Sequence, residues 1–312
     1  MNAELKPIND YSKVFNHLIK QTSDYICNNN LKCMVLGISG GIDSTVVAAI
    51  CHEVSKRTGI PLIGRSLPTN YNKEGETSTA DLVGKAFCNN YRIAGINTLY
   101  KRVLAIIASH EEDDMFECTG NPNPQTSIAN GNIQARIRMM YLYNLASVYK
   151  GLVMDTDNLT ENNLGYFTVH GDVGDFNPIG GLWKTEVFEL AQWLFNCYKN
   201  SDYSQLAKAE AMWASLQLKP TAGLGITSND LEELGAESYE QVDSILKEIL
   251  KWKYQPKKDV KLFKSNLDWF LEEQQIQNIS LEVITAVAKR HFNSDFKRKQ
   301  LPIKIQRHTF ID

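Results

Sequence analysis

The junction at Gly40-Gly41 constrains this chain more than any other stretch. The sequence there reads Leu36-Gly37-Ile38-Ser39-Gly40-Gly41-Ile42-Asp43-Ser44-Thr45. Cys33 to Ile38 is a short apolar run of the kind that forms a buried strand, and Ser44 to Ser55 reads as a helix. A strand, a glycine turn and a helix N-terminus together make an anion site. The first helical turn has unpaired backbone N–H groups and carries the positive end of the dipole. Gly40 and Gly41 can take positive φ and admit a phosphate close to the backbone. Ser39 and Ser44 add hydroxyl donors.

The run is not an ordinary nucleotide P-loop, which needs a Lys-Ser/Thr pair after its second glycine. Asp43 stands there instead. At about 4 Å and an effective dielectric of about 20, a carboxylate beside one phosphate charge costs roughly 4 kcal/mol. The helix dipole returns only about 0.3–1 kcal/mol. Asp43 therefore either faces water in the first turn or meets phosphate through a bridging divalent cation.

Composition narrows the class. The 312 residues carry a net charge of -3, with 43% hydrophobic and 22% charged residues. That is ordinary for a globular protein and argues against a broad nucleic-acid surface. No apolar run is long enough for a membrane span, and the N-terminus lacks a signal-peptide core. Cys27, Cys33, Cys51, Cys88, Cys118 and Cys197 form no C-x-x-C pair, which fits free thiols in a reducing cytoplasm better than a zinc site or disulfide framework.

The spacing predicts an amphipathic helix over Ile8 to Ile26, then strands at Cys33–Ile38, Pro61–Leu67, Tyr91–Ile96 and Gly151–Asp155. Helices are expected between them at Ser44–Ser55, Glu74–Phe87, Leu99–Ser109 and Ile128–Tyr149, with a loop over Glu111–Asn123. Alternating strands and helices imply a parallel sheet covered on both faces, with ligands beyond the strand C-terminal ends. The second half is mostly helical: Thr185–Cys197, Tyr203–Leu216, Tyr239–Trp252 and Leu281–His291, with a connector at Tyr254–Lys258. We read residues 1–312 as one α/β domain: an N-terminal helix (1–29), a core (30–200), and helical additions ending in a basic segment (201–312).

Two further motifs fall at the expected ligand edge. Thr156 offers a hydroxyl where the fourth strand ends, and Glu161 lies about one helical turn on. The same residues also read as a plain helix start, since Asn158 with Glu161 resembles a capping box. Gly165 to Pro178 is rich in glycine and aromatics. That suits stacking on a flat ring, or a packed Ω-loop. Lys184 follows, just before a helix. Cys51 and His52 are adjacent and do not face each other on a helix, so they form no dyad.

In this order the motifs resemble a known set. Ser39-Gly40-Gly41-Ile42-Asp43-Ser44 is similar to the pyrophosphate loop of N-type ATP pyrophosphatases. Asn132 to Met139, Thr156-Asp157 to Glu161, Gly165 to Pro178, Lys184-Thr185-Glu186, Pro220 to Gly225 and Phe296-Lys297-Arg298 resemble the NAD+ synthetase family specifically. The resemblance implies a flavodoxin-like, doubly wound fold and a homodimer. It implies a ligase that uses ATP, Mg2+ and ammonia to amidate deamido-NAD+, releasing AMP and pyrophosphate. It places Gly37, Ile38, Ser39, Gly40, Gly41, Ile42, Asp43 and Ser44 on the ATP phosphates, with Thr156, Lys184 and Thr221 also contacting ATP. Asp43 and Glu161 would bind Mg2+. Arg136, Phe167, His170, Asp175 and Lys297 would contact deamido-NAD+ or the loop over it. Asp43 and Lys184 would serve the adenylation step, and Asp172 or Asp175 is the candidate base for ammonia, with Asp172 taken as the catalytic one.

The sequence departs from the family pattern in places. Val169 stands where a substrate-contacting lysine is usual, Asp155 where glycine is typical, and Asn158 where histidine is frequent. Phe296 replaces the histidine before Lys297, Gly171–Asp175 is one residue short, and the segment after Thr221 is shorter than usual. Only one helix precedes the glycine turn, so free ammonia is the expected donor, supplied by a separate protein or from solution. The basic C-terminal residues read as a flap over the pyrophosphate, as a solvated tail, or as an RNA patch; no nucleic acid or membrane partner is expected. The rival readings are another AMP-forming adenylating enzyme, amidating or RNA-thiolating, and a non-catalytic nucleotide-binding relative.

Overall fold

A computed structural model describes residues 5–72, 75–110, 124–218, 230–254, 265–299, 303–305 and 307–309. The chain opens with α1 (Tyr11–Asn28), then β1 (Met34–Gly37), α2 (Ile42–Thr58), β2 (Leu62–Ser66), α3 (Glu76–Phe87), β3 (Asn90–Ile93), α4 (Asn97–His110) and α5 (Pro124–Tyr149). Next come β4 (Leu152–Val153), α6 (Leu159–Leu164), β5 (Phe176–Asn177), α7 (Lys184–Lys199) and α8 (Leu206–Gln217). It closes with α9 (Asp230–Leu234), α10 (Tyr239–Tyr254), α11 (Asn266–Glu273), α12 (Leu281–Asn293), α13 (Asp295–Arg298) and β6 (Ile303–Lys304).

The sheet is parallel, in the order β3-β2-β1-β4. Met34 pairs with Leu62 on one side and Leu152 on the other. Met34, Val35 and Leu36 are wholly buried, as strands covered on both faces must be. Their side chains alternate between two cores. Met34 and Leu36 pack with residues of α1, α2, α7 and α8, while Val35 packs with Ile63, Val153 and residues of α4 and α5. The doubly wound sheet expected from the sequence is therefore present. β5 touches the C-terminal edge of β4 through a Met154–Phe176 bridge.

Strand order reverses beside β1: the chain runs outward to β2 and β3, then returns to β4 on the other flank. Ligand crevices in open α/β sheets form at such a reversal, outside the strand C-termini. The glycine turn after β1 and the turn after β4 thus become neighbours.

A second core lies in the helical additions. Val242, Ile245 and Ile249 of α10 pack with Phe270 of α11, Val287 of α12, Leu159 and Leu164 of α6, and Trp183. Two boundaries differ from the sequence reading in ways that matter. α2 begins at Ile42, not Ser44, so Asp43 falls in its first turn. Lys184 is the first residue of α7 and not part of the loop before it. The short helices α9, α11 and α13 have no counterpart in the sequence reading. The expected loop at 111–123 and most of the 254–258 connector lie outside the described residues. Among the described residues, no helix is long and apolar enough to cross a membrane.

Candidate active site

The glycine turn is held open by its surroundings. Gly40 has φ +86, and a Cβ there would lie 2.7 Å from Glu76 O and 2.8 Å from Ala80 N, both backbone atoms of α3. Sterics and conformation both demand glycine. Ser39 and Ser44 share a hydroxyl contact at 2.9 Å, and Gly41 N donates to Ser39 Oγ at 3.2 Å. Thr45 Oγ1 donates back to Gly41 O at 2.9 Å. These bonds fix the turn and leave the first amides of α2, a 17-residue helix, aimed past the end of β1. Ile38 is buried and serves the sheet through its N–H, which donates to Arg65 O at 2.8 Å.

Across the crevice, α6 begins where β4 ends. Asn158 caps it: Asn158 Oδ1 accepts from Glu161 N at 3.0 Å, and Glu161 Oε2 accepts from Asn158 N at 3.1 Å. The capping box read from the sequence is present. It does not compete with a functional role, because Asn158 Nδ2 donates to Asp43 Oδ1 at 2.8 Å. One amide side chain caps α6 and ties it to the first turn of α2.

Lys184 completes the cluster. Its Nζ lies 2.6 Å from Asp43 Oδ2 and 2.9 Å from Glu161 Oε1. The lysine is buried, against the expectation that an isolated lysine sits in water. Burial works against its charge, but Asp43 and then Glu161 more than offset this and hold its pKa well above the usual value. Burial, followed by the repulsion of Asp43, pushes Glu161 up to about 8, with Lys184 pulling the other way. Two carboxylates share one ammonium, so the cluster has capacity for further positive charge.

That electrostatic surplus fits a divalent cation. Among the described residues no group of three His, Cys, Asp or Glu could hold a metal. The donor set is thus two carboxylates beside a phosphate-binding helix end. This matches Mg2+, which takes one or two carboxylates and fills its remaining positions with substrate phosphates and water. Asp43 and Glu161 fit the ion.

The loop after α6 forms the opposite wall. Asp155 is 1% exposed and accepts three N–H groups: Asp157 N at 2.7 Å, Gly174 N at 3.0 Å and Asn177 Nδ2 at 3.1 Å. Gly174 packs so tightly on β4 that a Cβ would lie 2.8 Å from Val153 O. Asp172 Oδ1 accepts from Thr168 N at 2.7 Å. Burial raises Asp172 to about 6 and Asp155 to about 7, and the bonds each accepts work against the rise. Asp157 is raised as well, by burial and then by Asp155. Its Oδ2 is buried without a hydrogen-bond partner among the described residues.

The substrate-side residues divide into two groups. Arg136, Phe167 and His170 line one cavity of about 450 Å3, together with Met140, Tyr143 and Val169. Arg136, Met140 and Tyr143 recur at i, i+4 and i+7 and so share one face of α5. His170 holds φ +60, a left-handed conformation uncommon outside glycine though more open to His than to most side chains. The other two residues serve the loop. Asp175 accepts from Tyr143 OH at 3.1 Å and from Val153 N at 2.9 Å, using both oxygens. Lys297 Nζ donates to Gly165 O at 2.8 Å and Phe167 O at 2.6 Å, and lies over the Phe167 ring. Thr156 is half-buried in the turn between β4 and α6. Thr221 lies outside the described residues.

Four of the basic C-terminal residues bond within the fold, while Lys289 and Lys299 are exposed. Arg290 donates to Leu164 O, Arg298 donates to Asn163 O, and Arg307 forms a buried pair with Glu186. With Lys297 they clamp α6 and its loop, and Arg307 holds the start of α7. Phe296 is 60% exposed beside them.

Sequence reasoning missed the amide role of Asn158 and the clip formed by Asp155. Their departure from the family pattern was visible; their partners, 115 residues away for Asn158 and 19–22 for two of the Asp155 bonds, were not.

The chain matches the family described as NAD synthase over residues 14–301. A protein from Methanosarcina acetivorans named NH(3)-dependent NAD(+) synthetase is 30% identical over 298 residues, covering 94% of this chain and 98% of that one. One of the same name from Thermococcus sibiricus is 30% identical over 295 residues, covering 94% and 97%. Among solved structures, an NMN synthetase from Francisella tularensis is 26% identical with a TM-score of 0.68, over 93% of this chain and 97% of that one. An NH3-dependent NAD synthetase from Campylobacter jejuni shares the fold at 23% identity and a TM-score of 0.61, over 95% and 100%.

Proposed function

We propose, from the premise that this chain belongs to the NAD synthase family, that it is a ligase amidating deamido-NAD+ with ammonia at the expense of ATP. NAD+, AMP and pyrophosphate are the products. The observation that carries the reading is the convergence of Asp43, Glu161 and buried Lys184 on one point beside the open end of α2.

The chemistry follows from the carboxylate. Direct attack by ammonia would have to expel oxide, so the carboxylate is first joined to AMP. Its oxygen attacks the α-phosphorus of ATP, the α–β bridge breaks, and pyrophosphate leaves toward the amides after Gly41. Positioning and charge neutralisation do most of this work. Lys184 supplies positive charge at the transferring phosphoryl group. Mg2+ held by Asp43 and Glu161 would neutralise phosphate charge. Gly37 to Ser44 cradle the phosphates, and Thr156 and Thr221 complete the ATP contacts. Ammonia then attacks the acyl carbon, AMP departs with the oxygen that had been the carboxylate's, and Asp172 takes the proton. A carboxyl near 6 is ionised at neutral pH and suits that task.

The cavity beside Arg136, Phe167 and His170 is the acceptor site in this reading, with Lys297 and Asp175 holding its wall. A homodimer is supported by the apolar residues that α4 and α5 leave open: Ile106, Met140, Val148 and Tyr149 are each about half exposed or more. A cytoplasmic location is supported by the free thiols of Cys27, Cys33, Cys51, Cys88 and Cys197.

The test is incubation with ATP, Mg2+, ammonium chloride and deamido-NAD+. NAD+ and AMP in equal amounts support the reading; ADP as the nucleotide product contradicts it. A second acceptor has one observation in its favour, the resemblance to a chain named NMN synthetase. A pyridine mononucleotide carries one phosphate where the dinucleotide carries two. This cavity has Val169 where the family usually has lysine, so it presents less positive charge. The ratio of kcat/KM for deamido-NAD+ and nicotinate mononucleotide decides between them.

A further inference from the structure

Asp43, Glu161 and Lys184 come from three helices, and all three helices start at the site. Lys184 opens α7, and the residue before it, Trp183, has no oxygen with which to cap a helix. A carboxylate from α10 does so instead. Asp243 is 1% exposed; its Oδ2 accepts from Thr185 N at 3.1 Å and Thr185 Oγ1 at 2.8 Å. Its Oδ1 accepts from Thr160 Oγ1 at 2.5 Å. Thr160 Oγ1 in turn accepts from Lys184 N at 2.8 Å.

We propose that Asp243 is a positioning residue of this site, holding Lys184 and Glu161 in register by bonding the residue next to each. Thr160 precedes Glu161 on α6, and Thr185 follows Lys184 on α7. The carboxylate takes the hydroxyl proton of Thr160, which turns an oxygen lone pair toward the Lys184 amide. A carboxylate can only accept, so all three donors around it are satisfied at once. The charge also complements the positive ends of both helices. The inference rests on the reading that Lys184 and Glu161 serve the reaction.

Asp243→Asn tests it without a change in volume, because the amide turns one acceptor into a donor. The expected result is a fall in kcat of at least tenfold. KM for ATP and for the acceptor should stay within threefold, and the Lys184 and Thr185 amides should exchange with solvent at least tenfold faster. Thr160→Val should lose a similar amount, and the double variant no more than either alone, since both cut one chain of bonds. Thr160→Ser should recover kcat to within threefold of the parent. Unchanged amide exchange would overturn the proposal, as would an unchanged kcat per folded molecule or a loss confined to KM. If the parent chain makes no amide, the assigned reaction fails, while the exchange rates still decide whether Asp243 holds Lys184.

Discussion

At the scale of single residues, the site is a problem of charge. Lys184 is buried between two carboxylates, and removing one partner of such a cluster costs about 3–5 kcal/mol because it strands the others. Lys184→Met should therefore lower unfolding free energy by about 3 kcal/mol in urea titrations. It should also reduce kcat by about 10²–10³, the scale of losing one preorganised charge stabiliser. Asp172→Asn should lower kcat by about 10² and abolish the acidic limb of the pH–rate profile near 6, if the carboxylate takes the ammonia proton. A profile that keeps this limb would place the base elsewhere. Stability has its own pH dependence. Asp155 and Asp172 titrate near 7 and 6 when folded, against 3.8 when unfolded. The folded state thus binds their protons more tightly, and their contribution is fully present below about pH 4 and lost as pH rises through 6 and 7. Urea midpoints measured with rising pH should decline over that window, and Asp172→Asn should flatten the decline.

At the scale of elements, what the sequence revealed was local. The apolar strand, the glycine turn and the helix after it were readable because each signal lies within a few residues. Gly40 is the clearest case: its positive φ and its 2.7 Å approach to Glu76 O explain the glycine at that position, whereas Gly41, at φ -66, does not take the positive φ expected of it. Gly40→Ala should cost about 1–3 kcal/mol from the backbone conformation alone, with more from displacing α3. Denaturant titration measures this, and ATP affinity should fall in parallel. The start of α7 was misplaced by one residue, since Trp183 gives no capping signal and the cap comes from α10. Asn158 was legible only as a cap: its carbonyl caps α6 as read, while its amide reaches Asp43, a partner distant in sequence. Lys297 and Asp175 were expected to contact the acceptor or the loop over it, and the bonds they make are to that loop, to β4 and to Tyr143. Most of these partners are backbone groups, which leave no trace in the sequence.

At the scale of the whole molecule, the sheet reversal beside β1 brings the turns after β1 and β4 together, and the helical additions lock the result. Arg290, Lys297, Arg298 and Arg307 bind carbonyls or Glu186, so four residues of the basic C-terminal run serve the fold itself. The homodimer proposed above would cover the open apolar residues of α4 and α5. Sedimentation should give about twice the 35.3 kDa chain mass, and Met140→Glu with Val148→Glu should return it to one chain. The account's central claim, however, is that the acceptor carboxylate is activated by bonding to the α-phosphorus over the Asp43–Lys184–Glu161 cluster. Acceptor labelled with 18O in its carboxylate tests it most directly, read by the isotope shift in 31P resonances. One labelled oxygen should appear in AMP and none in pyrophosphate. Label in inorganic phosphate, or unlabelled AMP beside labelled water, would contradict the account.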